Sequence, residues 1–408
     1  MKRRRRGGVY ALVLCVGVAL TGLGIAALGI VRVQRTSAEA GGDAADARRA
    51  AASAFEIVCD VLHADPRGTS WRADKGPYTA VNHADAGLRM AGTLADPAGD
   101  LTADTGEPVR LEVLAAKGAA RQGLRADALP SFGHLASVTA GCVWAGGSAT
   151  FNGTTVFADD VIGANGAMHA VSASVAAPVA AGAITGSSFQ RSTRVLTEPV
   201  EMPGPGVVAA WSAMGTPIAY ASLTGGELRD VVLSSSSNPF GAADPNGIYV
   251  IDCRGAPVRL RECRIVGTLV LVDVGAGAQI MESVLLEPGA GGVSLIVDGS
   301  IAITQTSTDF AESSLRVNLN PAGTPYRGVS DADQSDSYPG LLRGLIYATG
   351  DVACKGVVTI EGVLLVGRHF ATEGRLTVRA ARPATPAPGF RETVGWSIDG
   401  ATLTRVVE

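Results

Sequence analysis

Five histidines, His63, His83, His134, His169 and His369, are the side chains best suited to acid–base or metal chemistry near neutral pH. No two of them stand at i+2, i+3 or i+4, which excludes the two-histidine helix face of a zinc hydrolase. The carboxylates offer more. Asp331, Asp333 and Asp336 form a DxDxxD pattern in a Ser/Asp-rich stretch, and Asp159 and Asp160 are adjacent. Clustered oxygen donors suit a hard cation such as Ca2+. The pattern lacks the glycine and the distal glutamate of an EF-hand loop, so it reads first as a solvated loop. Asp331, Asp333 and Asp336 stand as weak Ca2+ candidates.

No GxSxG, no Walker A loop and no GxGxxG after a strand occurs. No catalytic residue and no cofactor are therefore expected. Of six cysteines, Cys15 lies in an apolar run. Cys59, Cys142, Cys253, Cys263 and Cys354 show neither CxxC nor zinc spacing. Cys253 and Cys263 are the nearest pair and the one candidate disulfide.

The chain has 408 residues, enough for two or three domains, with 52 glycines, 18% charged and 5% aromatic residues. The net charge is −4, and removing the five positive charges of Lys2–Arg6 makes it −9. A mildly acidic body argues against a nucleic-acid partner.

The elements that must carry these residues begin with "VYALVLCVGVALTGLGIAALGIV", Val9–Val31, 23 residues without a charge. As a helix this spans roughly 35 Å, enough to cross a bilayer core. It is longer than a signal-peptide apolar region and ends at Arg32 and Arg35 with no A-x-A site. The basic block before it predicts a cytoplasmic N-terminus and an exported body. Beyond the run, Ala47, Ala51, Ala54, Phe55, Val58 and Leu62 fall on one helical face. Gly41–Gly42 weakens the helix between the two halves. Within the apolar run, Gly17 with Thr21 and Gly22 with Ala26 have the small-xxx-small spacing that lets helices approach closely in lipid.

A basic leader (Lys2–Arg6), a glycine before the apolar run (Gly8), and a Gly/Ala-rich helix continuing as an amphipathic stem resemble the type IV pilin and pseudopilin superfamily. The resemblance implies cleavage between Gly8 and Val9. Most pilins have Glu at the fifth mature position and Phe at the first; this chain has Val13 and Val9 there. That departure points to the minor-pilin branch and leaves an uncleaved single-pass anchor as the alternative.

Between residues 88 and 129, short apolar runs alternate with Asp/Gly/Pro turns, predicting a small antiparallel β unit. Further on, Gly299, Gly350 and Gly374 each precede apolar residues at +2 and +4: Ile301/Ile303, Val352/Cys354 and Leu376/Val378. Gly147 (Ala149/Phe151) and Gly166 (Met168/Ala170) fit the same form. Gly350 to Gly374, like Gly147 to Gly166, has about the length of one solenoid coil. The pattern predicts a parallel β-solenoid rather than an antiparallel sandwich, with the apolar positions turned inward and Ser300, Asp351, Arg375 and Thr377 outward. Further strands are expected at Ile248–Cys253, Val258–Val266, Leu269–Val274, Gln279–Leu286, Ser294–Val297 and Val357–Val366. The stretches "NGIYVIDCRGAPVRLRECRIVGTLVLVD" and "GVVTIEGVLLVG" resemble the bodies of large PilX-like proteins, which join a pilin-type helix to a bactofilin- or pectate-lyase-like β-solenoid. The resemblance implies a structural role and brings no catalytic residues.

The expected fold is mainly β. It comprises a basic leader (1–8), a transmembrane and stem helix (9–64), a small β unit (65–130) and first coils (131–190). An insertion (191–246) that Pro205 could open with a short helix, further coils (247–303), an insertion loop (304–341) and last coils (342–380) follow. A Pro-rich strap and C-terminal hairpin (381–408), turning at Asp399-Gly400, complete it. The expected protein is a membrane-anchored, exported, non-enzymatic component of a pilus or secretion-type assembly. Its partners would be membrane lipid and other pilin-like subunits met through the helix. The rivals are a surface-anchored β-helix polysaccharide lyase or hydrolase, which would use clustered carboxylates, and a stalked adhesin.

Overall fold

The computed structural model describes residues 7–72, 76–85, 87–97, 106–289 and 291–406, with side chains from Leu12 onward. It is mainly β with one long N-terminal helix, and it divides into two compact units. The first holds residues up to Phe132 and those from Glu392; the second is Gly133–Arg391.

In the first unit, α1 (Gly7–Ala64) is a single helix of 58 residues. At 1.5 Å per residue it is about 87 Å long. Gly41 and Gly42 do not interrupt it. The sheet beside it is an antiparallel meander of β1 (Tyr78–Asp85), β2 (Leu88–Ala95), β3 (Val109–Lys117) and β4 (Ala120–His134). Alternation along β3 buries Val109, Leu111, Val113 and Ala115 on one face. Onto that face pack Ala54, Val58 and Leu62 of the helix, with Ala50 and Ala51 against Ala115. Small residues let helix and sheet approach closely: a Cβ at Gly92 would sit 2.6 Å from a Val58 methyl. Trp71 and Trp396 close the core edge-to-face, centroids 5.9 Å apart. Their indole N–H groups donate to the Asp65 and Pro66 carbonyls, both at 2.9 Å.

The C-terminus differs from the expected hairpin. Arg391–Ile398 and Thr404–Val406 both pair with β4, not with each other. The Asp399-Gly400 turn is an outward loop along that edge, held where the Asp399 N–H donates to the Asp127 carbonyl. A long β4 offers one unpaired edge, and the tail satisfies it on both sides of the loop.

In the second unit, parallel strands stack into a ladder that fits a three-sided β-solenoid. Register repeats once per coil: Ile346 lies beside Leu364, Val143 beside Ile162, and Tyr249 beside Leu269, which are 18, 19 and 20 residues apart. The expected inward residues Ile301, Ile303, Val352, Cys354, Leu376 and Val378 are all buried, as are Ala149, Phe151, Met168 and Ala170. Ser300 and Arg375 are exposed, Asp351 and Thr377 half-buried.

One glycine spacing needs correction. Gly374 stacks on Gly356, and the Gly350 carbonyl accepts the Arg368 N–H, so one coil here runs from 350 to 368. Gly350 and Gly374 occupy different corners of the triangle. At the Gly356/Gly374 corner the chain needs positive φ (77° and 101°), and a Cβ on Gly374 would meet the Gly356 carbonyl oxygen at 2.4 Å. The same corner is turned elsewhere by Asp230, Glu262, Glu282 and Ser172, also at positive φ. It breaks two expected strands: Val258–Val266 bends at Glu262, and Gln279–Leu286 after Glu282.

The coils are not stacked in chain order. One run climbs from Val143–Ala145 through Ile162–Val171 and Val179–Thr185 to Thr193–Val195. A crossover carrying the short helix Gly206–Met214, which Pro205 precedes, leads to a second run. This starts at Thr216–Pro217 and returns coil by coil until Leu364–Val366 pairs with Val143–Ala145. The expected insertion 191–246 thus contains the last rung of one run and the first coil of the other. The arrangement has a topological reason. The coils are inserted between β4 and Arg391–Ile398, which are paired neighbours. Their first and last residues must therefore lie close together. A solenoid stacked in chain order ends at opposite poles; this permuted order places entry and exit at adjacent coils, where the Leu135 N–H donates to the Phe390 carbonyl at 2.9 Å.

The face containing Thr268–Val272, Val293–Val297 and Val363–Val366 is buried on both sides. The crossover helix, through Val207, Val208 and Trp211, and the strap, through Ala387 and Phe390, cover its outer surface. Double burial explains the uninterrupted apolar runs there, which are the mark of a covered parallel sheet.

Candidate functional site

Two features stand apart from ordinary packing. The first is the N-terminal half of α1. From Leu12 to Val33 its large apolar side chains are 50–72% exposed, and it is long and apolar enough to cross a membrane. Thr21 Oγ1 donates to the Gly17 carbonyl at 2.8 Å, which folds the hydroxyl back on the helix and removes it from competition for partners. Gly17 and Thr21 share one face; Gly22 and Ala26 share another, roughly 140° away at 100° per residue. A Cβ at Gly17, Gly22, Gly24 or Gly29 would meet no atom within 4 Å, so these surfaces are open. Gly8 and Val9 fall in the first helical turns, and the basic block Lys2–Arg6 lies outside the described residues.

The second is the excursion between Gln305 and Leu341, the stretch expected as an insertion loop. It interrupts a single coil at one corner, leaving after Gln305 and rejoining at Leu341, with its own core of Phe310, Leu319, Tyr326 and Tyr338 against Val232 and Leu285. Arg264, only 1% exposed, anchors it. Its guanidinium donates to Glu287 Oε2 (2.7 Å) and to the carbonyls of Leu319 (2.9 Å), Thr324 (3.0 Å) and Pro325 (2.7 Å). Tyr326 and Tyr338 present ring faces to it, with centroids 5.2 and 5.8 Å away. From Glu287 the ion pairing continues to Arg343 and Glu361, then to Arg379, along the outer side of one face. Those arginines hold Glu361 below the usual carboxylate range against the opposing effect of its burial.

The three aspartates expected together are not together. Asp333 accepts from its own turn, Ser335 N and Oγ at 2.9 and 2.7 Å. Asp331 and Asp336 instead both accept from Asn320 Nδ2, at 3.3 and 2.7 Å. Among the described residues no three His, Cys, Asp or Glu side chains gather as metal ligands. Asp159 and Asp160 are turn and strap anchors: Asp159 Oδ1 accepts the Ala380 N–H at 2.8 Å, and Asp160 pairs with Arg382. His369 and His169 are exposed and bond Ser148 and Thr185. Asn320, which organises the acidic turn, was missed; an Asn two residues after another Asn carries no signal above loop composition.

Cys253 and Cys263 are free thiols. Both point into the solenoid core, where burial pushes their pKa up to about 11 and about 12; Cys142 and Cys354 rise to about 12 for the same reason. The sign follows from linkage. A thiol whose folded pKa is raised contributes stability that is complete below the ordinary value of 9.0 and is lost as pH rises towards 12. Stability is therefore expected to fall between about pH 9 and 12. At pH 8 all four thiols should resist alkylation until urea unfolds the coils, as mass spectrometry of iodoacetamide-treated protein would report. Labelling of the folded protein at Cys354 would contradict the inward register.

No protein-family model matches the chain, and no curated protein matches it. Among solved structures, the competence-associated pilin ComZ from Thermus thermophilus is similar to it at 11% sequence identity. That match covers 90% of this chain and 98% of that one, with a TM-score of 0.32.

Proposed function

We propose that this chain is a membrane-anchored, non-enzymatic structural subunit of a pilin-like assembly, of the minor-pilin or PilX-like kind. One observation carries the reading: a single unbroken helix has an apolar half exposed to its surroundings and a second half packed on an antiparallel sheet. Apolar exposure over that length is costly in water and favourable in lipid. The small residues on two faces of the exposed half suit contact with more than one neighbouring helix. In this reading Lys2–Arg6 stay in the cytoplasm and the coil stack is displayed in the periplasm or outside the cell.

N-terminal sequencing of the mature protein from membranes tests the processing step. A start at Val9 is expected; a start at Met1 would make the chain an uncleaved anchor. Enlarging Gly22 and Gly24 to Leu is expected to reduce crosslinking to partner pilins while leaving membrane attachment intact. Unchanged crosslinking would rule out assembly through this surface.

A further inference from the structure

We propose that the excursion between Gln305 and Leu341 binds one divalent cation, with Ca2+ the best fit, through Asp331, Asp336 and the side-chain oxygen of Asn320. Asp331 Oδ2 and Asp336 Oδ2 both accept from the Asn320 Nδ2 amide, so the two carboxylates flank one side-chain amide. The Val329 carbonyl reaches that nitrogen as well, at 3.4 Å. Asn320 is completely buried, and its Oδ1 has no donor; Asp331 Oδ1 is likewise shielded from solvent and without a partner. An acceptor removed from water with nothing to accept from is unfavourable, and here two occur on adjacent side chains of one acidic turn.

The charge balance points the same way. Glu312, also fully buried, accepts from Leu319 N and Tyr338 Oη through one oxygen and from Asp336 N through the other. Both of its oxygens are occupied, so it contributes field rather than ligation. Among the described residues neither Glu312, Asp331 nor Asp336 forms an ion pair. The nearby Arg264 is engaged by Glu287 and three carbonyls. Glu312 is buried and Asp331 and Asp336 are half-buried, so three like charges face one another around one turn without a counter-ion. A hard divalent ion would neutralise them and use the idle oxygens. Carboxylate, amide and main-chain oxygens are the donors Ca2+ takes, and the donor set contains no nitrogen or sulfur that would prefer zinc. Asp333, facing its own turn, is no part of the site.

The inference stands on side chains in the second unit and does not rest on the membrane reading. The test uses the full chain in detergent, stripped with EDTA and titrated with CaCl2 by calorimetry. Tb3+ serves as a second probe, its emission excited through Tyr326 and Tyr338. One saturable site per chain is expected, with Asp336→Asn weakening it roughly tenfold or more. Asp331→Asn should do the same, and Asp333→Asn should leave affinity unchanged. Circular dichroism of each stripped variant should match the parent, and if Asp331→Asn does not fold, Asp336→Asn decides alone. Absence of saturable binding up to roughly 10 mM Ca2+, beyond the weakest extracellular sites, would overturn the proposal. So would equal loss in Asp333→Asn.

Discussion

Val352→Asp is expected to unfold the coil stack, whereas Thr377→Asp should leave it standing. Val352 is 1% exposed and lies in register between Ile301 and Phe370, both buried. A carboxylate there would be stripped of water with no donor or cation in reach. That costs several kcal/mol, comparable to the stability of a whole domain. Thr377 sits on the next face with its side chain outward, between Thr359 and Phe157 of neighbouring coils. A charge there keeps its hydration and should change stability by about 0.5 kcal/mol or less. Urea melts followed by far-UV circular dichroism of both variants measure the difference. Equal losses would mean that the alternation of the Gly-x-apolar-x-apolar segments is not what builds the core.

That contrast depends on a pattern readable in the sequence, and the pattern has a definite reach. Alternation is a local property. A two-residue period fixes which way Ile301, Val352 or Leu376 points once a strand exists, so inward and outward sides were legible. The apolar run and the stem stripe of α1 were legible for the same reason, since a helical period needs only a few turns of chain to show. Coil boundaries were not. A corner needs positive φ, and glycine is the cheapest way to supply it. Asp230, Glu262, Glu282 and Ser172 supply it here without glycine, so counting glycines miscounted the coils.

The order of stacking was less legible still. Nothing in Val143–Ala145 indicates that its lower neighbour is Leu364–Val366, because any apolar parallel strand can stack on any other of similar width. What selects the permuted order is the insertion of the coils between two paired strands, a constraint carried by residues on either side and by neither coil. The acidic turn shows the same limit. The spacing of Asp331, Asp333 and Asp336 was plain, yet spacing along an irregular loop does not fix direction. Asn320, eleven residues before Asp331, decides which two of the three flank one amide.

Arg264→Ala is expected to release the excursion without dissolving the coils beneath it. The guanidinium is almost wholly buried, and its removal would leave the carbonyls of Leu319, Thr324 and Pro325 without donors in a site closed to water. Losing one partner of a buried, fully hydrogen-bonded charge costs about 3–5 kcal/mol, mostly from the groups left behind. Glu287 would retain Arg343 at 3.6 Å, which limits the damage on the coil side and directs it to the loop. Lysine should not rescue the loss: a single ammonium cannot reach a carboxylate and three carbonyls arranged around a planar fork. The loop core of Phe310, Leu319, Tyr326 and Tyr338 should then open, because the ring faces of Tyr326 and Tyr338 pack against the same guanidinium. Limited chymotrypsin digestion reads this directly, since Phe310, Tyr326 and Tyr338 lie within the excursion and are buried in the folded chain. Faster cleavage there in both Arg264→Ala and Arg264→Lys, with the coil strands still protected from hydrogen exchange, is the expected result. Cleavage at the parent rate would show that the excursion is held by its apolar core alone, and loss of protection throughout would show that it is an integral rung of the stack.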